Sequence, residues 1–520
     1  MKITVIGAGP AGTLLACYLA GRGFRVEVYE RRADPRLLDE DESRSINLGL
    51  SARGIAALTD IGLMDTLWPL TVPMRGRAIH LPGGVVPFQP YGAHEGEILH
   101  SVLRHDLITT LVDHAEAQPG VTFHFRHRLV GLDRETAAAR LVHEETGAES
   151  TVEGDAVIGA DGAFSQVRAH MQHGLRADHH QEFLEWGYKE LTIPAADDGS
   201  ARTMLEALHV WPGEDALIVA HPNRDNSLTG TLFLPVERFG EITDPEEFLG
   251  ERFPDTLDLM PHLAKEYAEH PVGHLVSIRT SPWHHRDRVA LIGDACHAVY
   301  PFYGQGMNSA LEDCTVLDRC VGDHPGDLGA AFAEYQRLRK PHTDVLDELS
   351  KQNFVELRDR LRSPLHLLRK KADLLLARTL PGRWVPLYTM ISHTTVPYAD
   401  ALARARRQDA LLRRAGAVAA LAGLLAAAPA VVRLARGSGR SPGGIDLTPA
   451  VRAADAAHVA RAATAGTDLT SPVRAADAAH VARGADPAPR TVFARLVRLT
   501  RFARRARLAQ RNTRKGEPPC

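Results

Sequence analysis

The chain has 520 residues and a formal charge of −3. That length supports two or three domains with a large core, and so balanced a charge offers no footprint for nucleic acid or an acidic partner. The five cysteines, Cys17, Cys296, Cys314, Cys320 and Cys520, form no CxxC pair. No metal site or structural disulfide is therefore expected, and a reducing, cytoplasmic setting is.

The chain opens on a short apolar run, Ile3 to Ile6, that reads as a buried parallel strand. A secretory leader is not expected in front of it. Gly7, Gly9 and Gly12 follow at G-x-G-x-x-G spacing, then a small-residue helix from Thr13 to Ala20 and a second strand from Phe24 to Tyr29. Gly7 allows a sharp turn, Gly9 allows a close approach to a pyrophosphate, and Gly12 allows the helix to pack on the strand. Glu30 stands eighteen residues past Gly12, where an acid can accept hydrogen bonds from a ribose. A lone glycine motif is weak. Strand, loop, helix, strand and acid in that order read as a Rossmann-like dinucleotide site, with Ala11 and Arg31 as neighbouring candidates.

RSINLGLS at 44–51 fits either a strand edge with incidental polar residues or, through Arg44 and Asn47, a wall of the cofactor site. Gly54 to Met64 has a helical pattern. Arg75, Arg77 and His80 follow, then PFQPYG. Arginines on a strand usually face solvent, but an arginine with a tyrosine inside a pocket could instead hold a carboxylate. Arg104 precedes a helix over 106–117, and strands are expected over 121–130 and 139–143. Asp161, in GADG at 159–162, fits a plain Asx turn or a strand end at the cofactor.

Residues 188–235 read as four alternating strands, an antiparallel sheet distinct from the opening unit. Residues 244–269 read as helical with breaks at Pro254 and Pro261. Val289 to Ile292 is a further strand, followed by Gly293-Asp294 and a loop opening a helix near Met307. Asp294 can accept from a ribitol hydroxyl. The turn Gly304, Gln305, Gly306, Met307, Asn308 brings backbone N–H groups to a helix N-terminus. His297 reads as a hydrogen-bonding residue without an acid partner in view.

GAGPAG with Glu30, GADG at 159–162 and GDACHAVYPFYGQGMN at 293–308 occur in this order and at these separations. The triple resembles the FAD-dependent aromatic hydroxylases of the para-hydroxybenzoate-hydroxylase-like type. Within that family the chain is similar to the branch acting on L-kynurenine. The matching stretches are RSINLGLS (44–51), PMRGRAIH (73–80), PYG (90–92), FRHRL (125–129), GYKELTIP (187–194), PFYGQGMN (301–308), LSKQNFVELR (349–358) and PLYTM (386–390). The likeness covers about residues 1–400.

The resemblance implies an α/β fold. A Rossmann-like, glutathione-reductase-like FAD-binding domain (1–72, 98–175, 280–335) would be interleaved with a mixed, largely antiparallel substrate domain (73–97, 176–279). A helical region (336–410), an apolar helix (411–436) and a low-complexity basic tail (437–520) would follow. It implies that Arg77 and Tyr91 grip the substrate carboxylate. Asn353 and Tyr388 would complete that end of the pocket, with Glu356 the nearby acid and Phe302 the aromatic wall beside the flavin. Arg44, Arg104, Asp294 and the 304–308 loop carry over as FAD contacts. Tyr303 stands where family members vary.

The implied chemistry is NADPH-driven hydroxylation through a flavin C4a-hydroperoxide. The oxygen chemistry belongs to the cofactor, so no catalytic acid or base is required of the protein. No second G-x-G-x-x-G follows a strand, so no separate nicotinamide domain is expected. A sister hydroxylase of a modified kynurenine or an anthranilate-like acid remains open. So does a non-catalytic flavin-fold binding protein, although a complete substrate grip argues against it.

Residues 415–432 carry no charge. A spanning helix needs about 20 apolar residues, and this one is mostly Ala and Gly. It fits either a small-residue helix packed on the body or a membrane-associated segment. VRAADAAHVAR occurs at 451–461 and again at 473–483, too few copies for a solenoid. The surrounding composition suggests a disordered or marginally helical tail. Residues 489–515 hold ten Arg or Lys and no acid, which fits a solvated tail or an amphipathic helix on anionic lipid.

Overall fold

The computed structural model describes residues 1–38, 47–361 and 363–414. Arg44, the apolar segment 415–432, the duplicated stretch and the basic segment 489–515 lie outside the described residues.

A six-stranded sheet carries the opening motif. Its order is His284–His285, Val289–Leu291, Ala156–Gly159, Lys2–Ile6, Arg25–Tyr29, Val121–His124. All neighbours are parallel except the antiparallel edge at His284–His285. Parallel strands are covered on both faces, which is why Ile3, Val5, Val26, Val28 and Val157 sit in one continuous core. The first helix, Pro10–Gly21, packs on that sheet through Leu14, Leu15 and Leu19.

The expected strand over 121–130 is two strands in different sheets. Val121–His124 edges the parallel sheet, and His127–Asp133 joins the antiparallel trio with Ala138–His143 and Glu149–Glu153. Arg126 at φ 61 makes the turn between them. No glycine marks it, so the pattern of apolar residues hid the break.

A seven-stranded sheet forms the second layer, in the order Gly273–Ser281, Asp178–Ile193, Leu228–Pro235, Leu217–Pro222, Ala207–Trp211, Gly76–Ile79, Phe88–Pro90. Only Ala207–Trp211 with Gly76–Ile79 is parallel. The 16-residue strand Asp178–Ile193 has an irregularity between Phe183 and Gly187. Such a bulge bends and twists a strand. Three helices, Pro245–Arg252, Thr256–Leu259 and Leu263–Glu269, follow the sheet, interrupted at Pro254 and Pro261 as the sequence suggests. Asn47–Leu50, Leu99–Leu103 and Thr71–Met74 form a separate three-stranded sheet.

The 28-residue helix Leu328–Val355 continues into a π-helical turn, Glu356–Arg360. It runs unbroken across the expected boundary at 335/336. Pro364–Thr379, Leu387–Ser392 and a helix over 398–414 complete the described chain. Tyr303, Leu346, Leu349, Met390, Ile391 and Tyr398 share one core, so the last two of these helices pack against the long helix and the 301–303 turn. No helix among the described residues is long and apolar enough to cross a membrane.

Candidate active site

Steric demands fix the first turn. Gly7 has φ +107, and a Cβ there would lie 2.4 Å from the Ala160 carbonyl oxygen. At Gly12 a Cβ would meet the Gly7 oxygen at 2.0 Å. At Gly9 a Cβ would meet nothing within 4 Å, so the side facing away from the strand is open. Gly9 caps the first helix without a side-chain hydrogen bond, leaving the amides of its first turn for an anion.

Glu30 is buried. Its Oε2 accepts from Ala8 N at 2.9 Å, and its Oε1 accepts from Arg32 N and Nε, both at 3.0 Å. Burial acts to raise its pKa, but the charge and hydrogen bonds of Arg32 hold it below the usual carboxylate range. A carboxylate has about four acceptor directions, so Glu30 can still take a hydroxyl. The arginine on this acid is Arg32, whereas Arg31, singled out from the sequence, is exposed. Ala11 is partly buried against the core beneath the same loop.

Arg104 opens the helix Arg104–Glu116. Burial lowers its pKa, as does Arg32, against the opposing pull of Asp294, Tyr188 and Glu30. Asp294 faces open space, yet enough protein surrounds it to raise its carboxyl pKa. The two facts together describe a group lining a concave surface. Gly304, at φ 66, forms the left-handed end of the Pro301–Tyr303 turn, with open space where a Cβ would be. Gly306 then opens an 18-residue helix, Gly306–Asp323, again without a side-chain cap.

Four sequence candidates have side chains turned to protein partners. Asp161 accepts from Ser165 Oγ at 2.5 Å, Gln166 N at 2.7 Å and Val167 N at 3.1 Å, so it caps the helix Gln166–Gln172. Asn308 Oδ1 accepts from Ser51 N, and its Nδ2 donates to Gly49 O and Gly304 O. Gln305 Oε1 accepts from Tyr398 OH and Ser51 Oγ. Asn47 Nδ2 donates to Ser101, Pro222 and Asn223. What Gln305 and Asn308 leave for a cofactor is the backbone of their turn. Met307 is partly buried against the main core.

His297 does have an acid partner. Its Nε2 lies 2.5 Å from Asp313 Oδ2, and both residues are buried. Gly293 N also donates to that oxygen at 3.0 Å, while Arg339 Nε donates to Oδ1 at 2.6 Å. Burial acts to raise the Asp313 pKa, but His297 and Arg339 hold it low. Cys296 stands beside this pair, but the Arg339 guanidinium already supplies the positive charge there. The acid lies sixteen residues along the chain on another helix, and no short-range spacing marks it. The four described cysteines are free and buried.

The second half of the site is a cavity of about 330 Å³ lined by Arg77, Gln89, Tyr91, Glu356, Lys370 and Tyr388 among others. Arg77 lies on the strand Gly76–Ile79 and is 5% exposed. Its guanidinium carbon is 5.7 Å from the Tyr91 ring centroid and 5.0 Å from that of Tyr388. The two rings stack at 5.3 Å and 15°, and Tyr303 stacks on Tyr388 at 5.7 Å. Burial drives the Tyr91 and Tyr303 phenols well above their ordinary pKa, so both keep their protons. Arg77 Nε and Tyr91 OH are buried without a hydrogen-bond partner among the described residues.

Glu356 Oε1 faces the Lys370 ammonium at 3.0 Å, the His366 imidazole at 3.6 Å and the Arg77 guanidinium at 3.9 Å. Burial opposes its charge, but His366, Lys370 and Arg77 hold its pKa far below the carboxylate range. Asn353 donates to the Phe302 carbonyl at 2.6 Å, bracing that turn against the long helix. Phe302 meets Phe354 at 4.5 Å and Phe233 at 5.1 Å, a dry wall continuous with the seven-stranded sheet. Lys370 and His366 escaped the sequence reading because they reach Glu356 from the following helix, not from helical neighbours.

The family described as FAD binding domain matches residues 1–321. A kynurenine 3-monooxygenase of Salinispora arenicola is 58% identical over 442 residues, 84% of this chain and 97% of its own length. One of Stenotrophomonas maltophilia is 41% identical over 417 residues, 79% and 91% of the two chains. Among solved structures, the tetrameric form of 2-methyl-3-hydroxypyridine-5-carboxylic acid oxygenase superposes with a TM-score of 0.58 at 22% identity, covering 72% of this chain and 97% of its own. The tetracycline destructase Tet(51) gives 0.54 at 19%, covering 76% and 99%. At those identities the structures speak for the fold alone.

Proposed function

This chain belongs to the kynurenine 3-monooxygenase family of FAD-dependent monooxygenases, and from that premise we infer that it hydroxylates the aromatic ring of L-kynurenine, with NADPH and O2 as co-substrates. Bound FAD supplies the electron and oxygen transfer. The protein supplies grip, orientation and dryness.

The observed surfaces suit such a cofactor. The Gly7–Gly12 turn leaves room beside an uncapped helix N-terminus, and Arg104 lies close to Glu30 and Asp294 in charge terms. In this reading Glu30 takes a ribose hydroxyl. The first helix and Arg104 take the pyrophosphate, and Asp294 takes a ribitol hydroxyl. The backbone of residues 304–308 faces the flavin ring. Residues 1–72, 98–175 and 280 up to the start of the helix Leu328–Val355 form the cofactor half, and 73–97 with 176–279 the substrate half.

The observation that carries the substrate assignment is Arg77: a buried guanidinium between two tyrosines, with Nε unpaired. A buried cation needs an anion, and a guanidinium suits a carboxylate bidentately. Tyr91 and Tyr388 add phenol donors to that carboxylate. Glu356, held ionised, suits the ammonium of the same zwitterion. Asn353 serves the pocket through the Phe302 carbonyl it holds. The wall of Phe302, Phe354 and Phe233 keeps water from the reacting ring. The ring's own amino group activates the neighbouring carbon, so no protein base is needed.

The deciding experiment is NADPH oxidation by the purified flavoprotein with and without L-kynurenine, with product analysed by mass. Substrate-stimulated oxidation and a gain of one oxygen are expected. Oxidation that yields only hydrogen peroxide would move the substrate to a modified kynurenine or an anthranilate-like acid. A protein without flavin or oxidation would overturn the reading.

A further inference from the structure

Beneath the two turns assigned to the flavin runs a buried chain of charges and hydroxyls that ends in the last described helix. Tyr398, the first residue of that helix, is fully buried, and its hydroxyl donates to Gln305 Oε1 at 3.1 Å. The Ser51 hydroxyl reaches the same oxygen at 3.5 Å. Two donors on one oxygen fix which way the amide points. A free amide would exchange its oxygen and nitrogen ends at little cost.

Arg53 holds Tyr398 in place. Its guanidinium carbon lies 4.0 Å from the Tyr398 ring centroid, Nη1 donates to Glu312 Oε1 at 2.5 Å, and Nη2 donates to the Val396 carbonyl. Arg339 bridges Glu312 to Asp313 and also donates to Ser309 Oγ at 2.9 Å. Asp313 holds His297 and the amide of Gly293. The same network therefore supports Gly293-Asp294 and the 304–308 turn from behind, with two arginines against two carboxylates. None of these groups lies in the substrate cavity, and the chemistry does not use them.

We propose that Tyr398 is a positioning residue for the flavin, acting through Gln305, so that the C-terminal helical region sets the electronic surroundings of a cofactor it does not touch. Loss of its hydroxyl frees the Gln305 amide to turn. The backbone N–H groups of the 304–308 turn then lose that brace from behind, while the glycine turns and Arg104 still hold the rest of the cofactor. Substrate capture at Arg77 is untouched.

The proposal rests on the FAD reading, and the test separates the two. Full-length Tyr398→Phe is compared with the parent protein for FAD Kd by fluorescence titration, the visible spectrum of the bound flavin, and the fraction of NADPH diverted to hydrogen peroxide. One hydrogen bond is at stake, so FAD Kd is expected to weaken by about two- to tenfold. A changed flavin band and a higher peroxide fraction are expected with an unaltered KM for kynurenine. Gln305→Leu removes the acceptor for both Tyr398 and Ser51, and the double variant is expected to match Gln305→Leu alone, because Tyr398→Phe then has no contact left to break. Flavin indifferent to Tyr398→Phe, or effects that simply add in the double variant, would overturn the proposal. A lower melting temperature with an unchanged flavin spectrum would do the same. A parent protein without flavin would instead sink the FAD reading itself.

Discussion

Replacing Arg77 tests the substrate grip most directly. The guanidinium is almost wholly buried, and the nearest carboxylate, Glu356, lies 3.9 Å away with Lys370 closer to it at 3.0 Å. At an effective dielectric of about 20, the Arg77–Glu356 attraction is about 4 kcal/mol before desolvation. Glu356 divides its charge between Lys370 and Arg77, so Arg77 keeps an unmet demand for an anion. Burial works against the charge of Arg77, but Tyr388, Tyr91 and Glu356 hold its pKa above the ordinary value, so it stays cationic throughout the working range. Removing one partner of a buried, hydrogen-bonded charge pair costs about 2–5 kcal/mol. Taking about 3 kcal/mol, Arg77→Ala is expected to lower kcat/KM roughly a hundredfold. The loss should fall mainly on KM, because the carboxylate is held equally before and during ring attack. Arg77→Lys keeps the charge but loses the fork, so a loss of roughly tenfold is expected. The assay is steady-state NADPH oxidation over a range of L-kynurenine concentrations, with flavin content measured in each variant. An unchanged KM in Arg77→Ala with full flavin would refute the carboxylate assignment.

Gly7→Ala would put a Cβ 2.4 Å from the Ala160 oxygen at φ +107. The purified protein is expected to be colourless or poorly folded, read by flavin content and circular dichroism. Arg104→Met is expected to weaken FAD binding by about tenfold or more while kynurenine KM in FAD-saturated enzyme stays constant. Equal FAD affinity would remove Arg104 from the pyrophosphate site. His209 is buried and hydrogen-bonded to the Met204 carbonyl and His80. Burial depresses its pKa to about 4, against about 6.5 unfolded. Between those values the unfolded chain binds the extra proton, so stability falls as pH falls from about 6.5 to about 4, by at most about 3 kcal/mol. His209→Gln is expected to flatten the melting temperature between pH 7 and 5; an undiminished slope would exclude His209 as its source.

Local chemistry was legible along the chain because it is local. Strand, glycine turn, helix and acid in residues 1–30 fix their own backbone through steric contacts a few residues apart. The prolines at 254 and 261 interrupt their helices wherever those helices pack. Arg77, Tyr91, Asn353, Glu356 and Tyr388 were named through the family resemblance, since nothing in their spacing joins a strand at 77 to a helix at 388. Direction was harder. Two adjacent arginines follow Glu30, and only the fold turned Arg32 back onto that acid and left Arg31 in solvent. Gln305 and Asn308 lie in the motif, but their side chains brace the turn from behind. The partners of His297, Arg53 and Glu356 come from separate helices. Buried charges must be paired wherever the packing brings an opposite charge, at any separation along the chain. Periodicity and spacing record which face of an element is apolar. They do not record which distant residue arrives to meet a polar group on that face, and tertiary structure alone decides that.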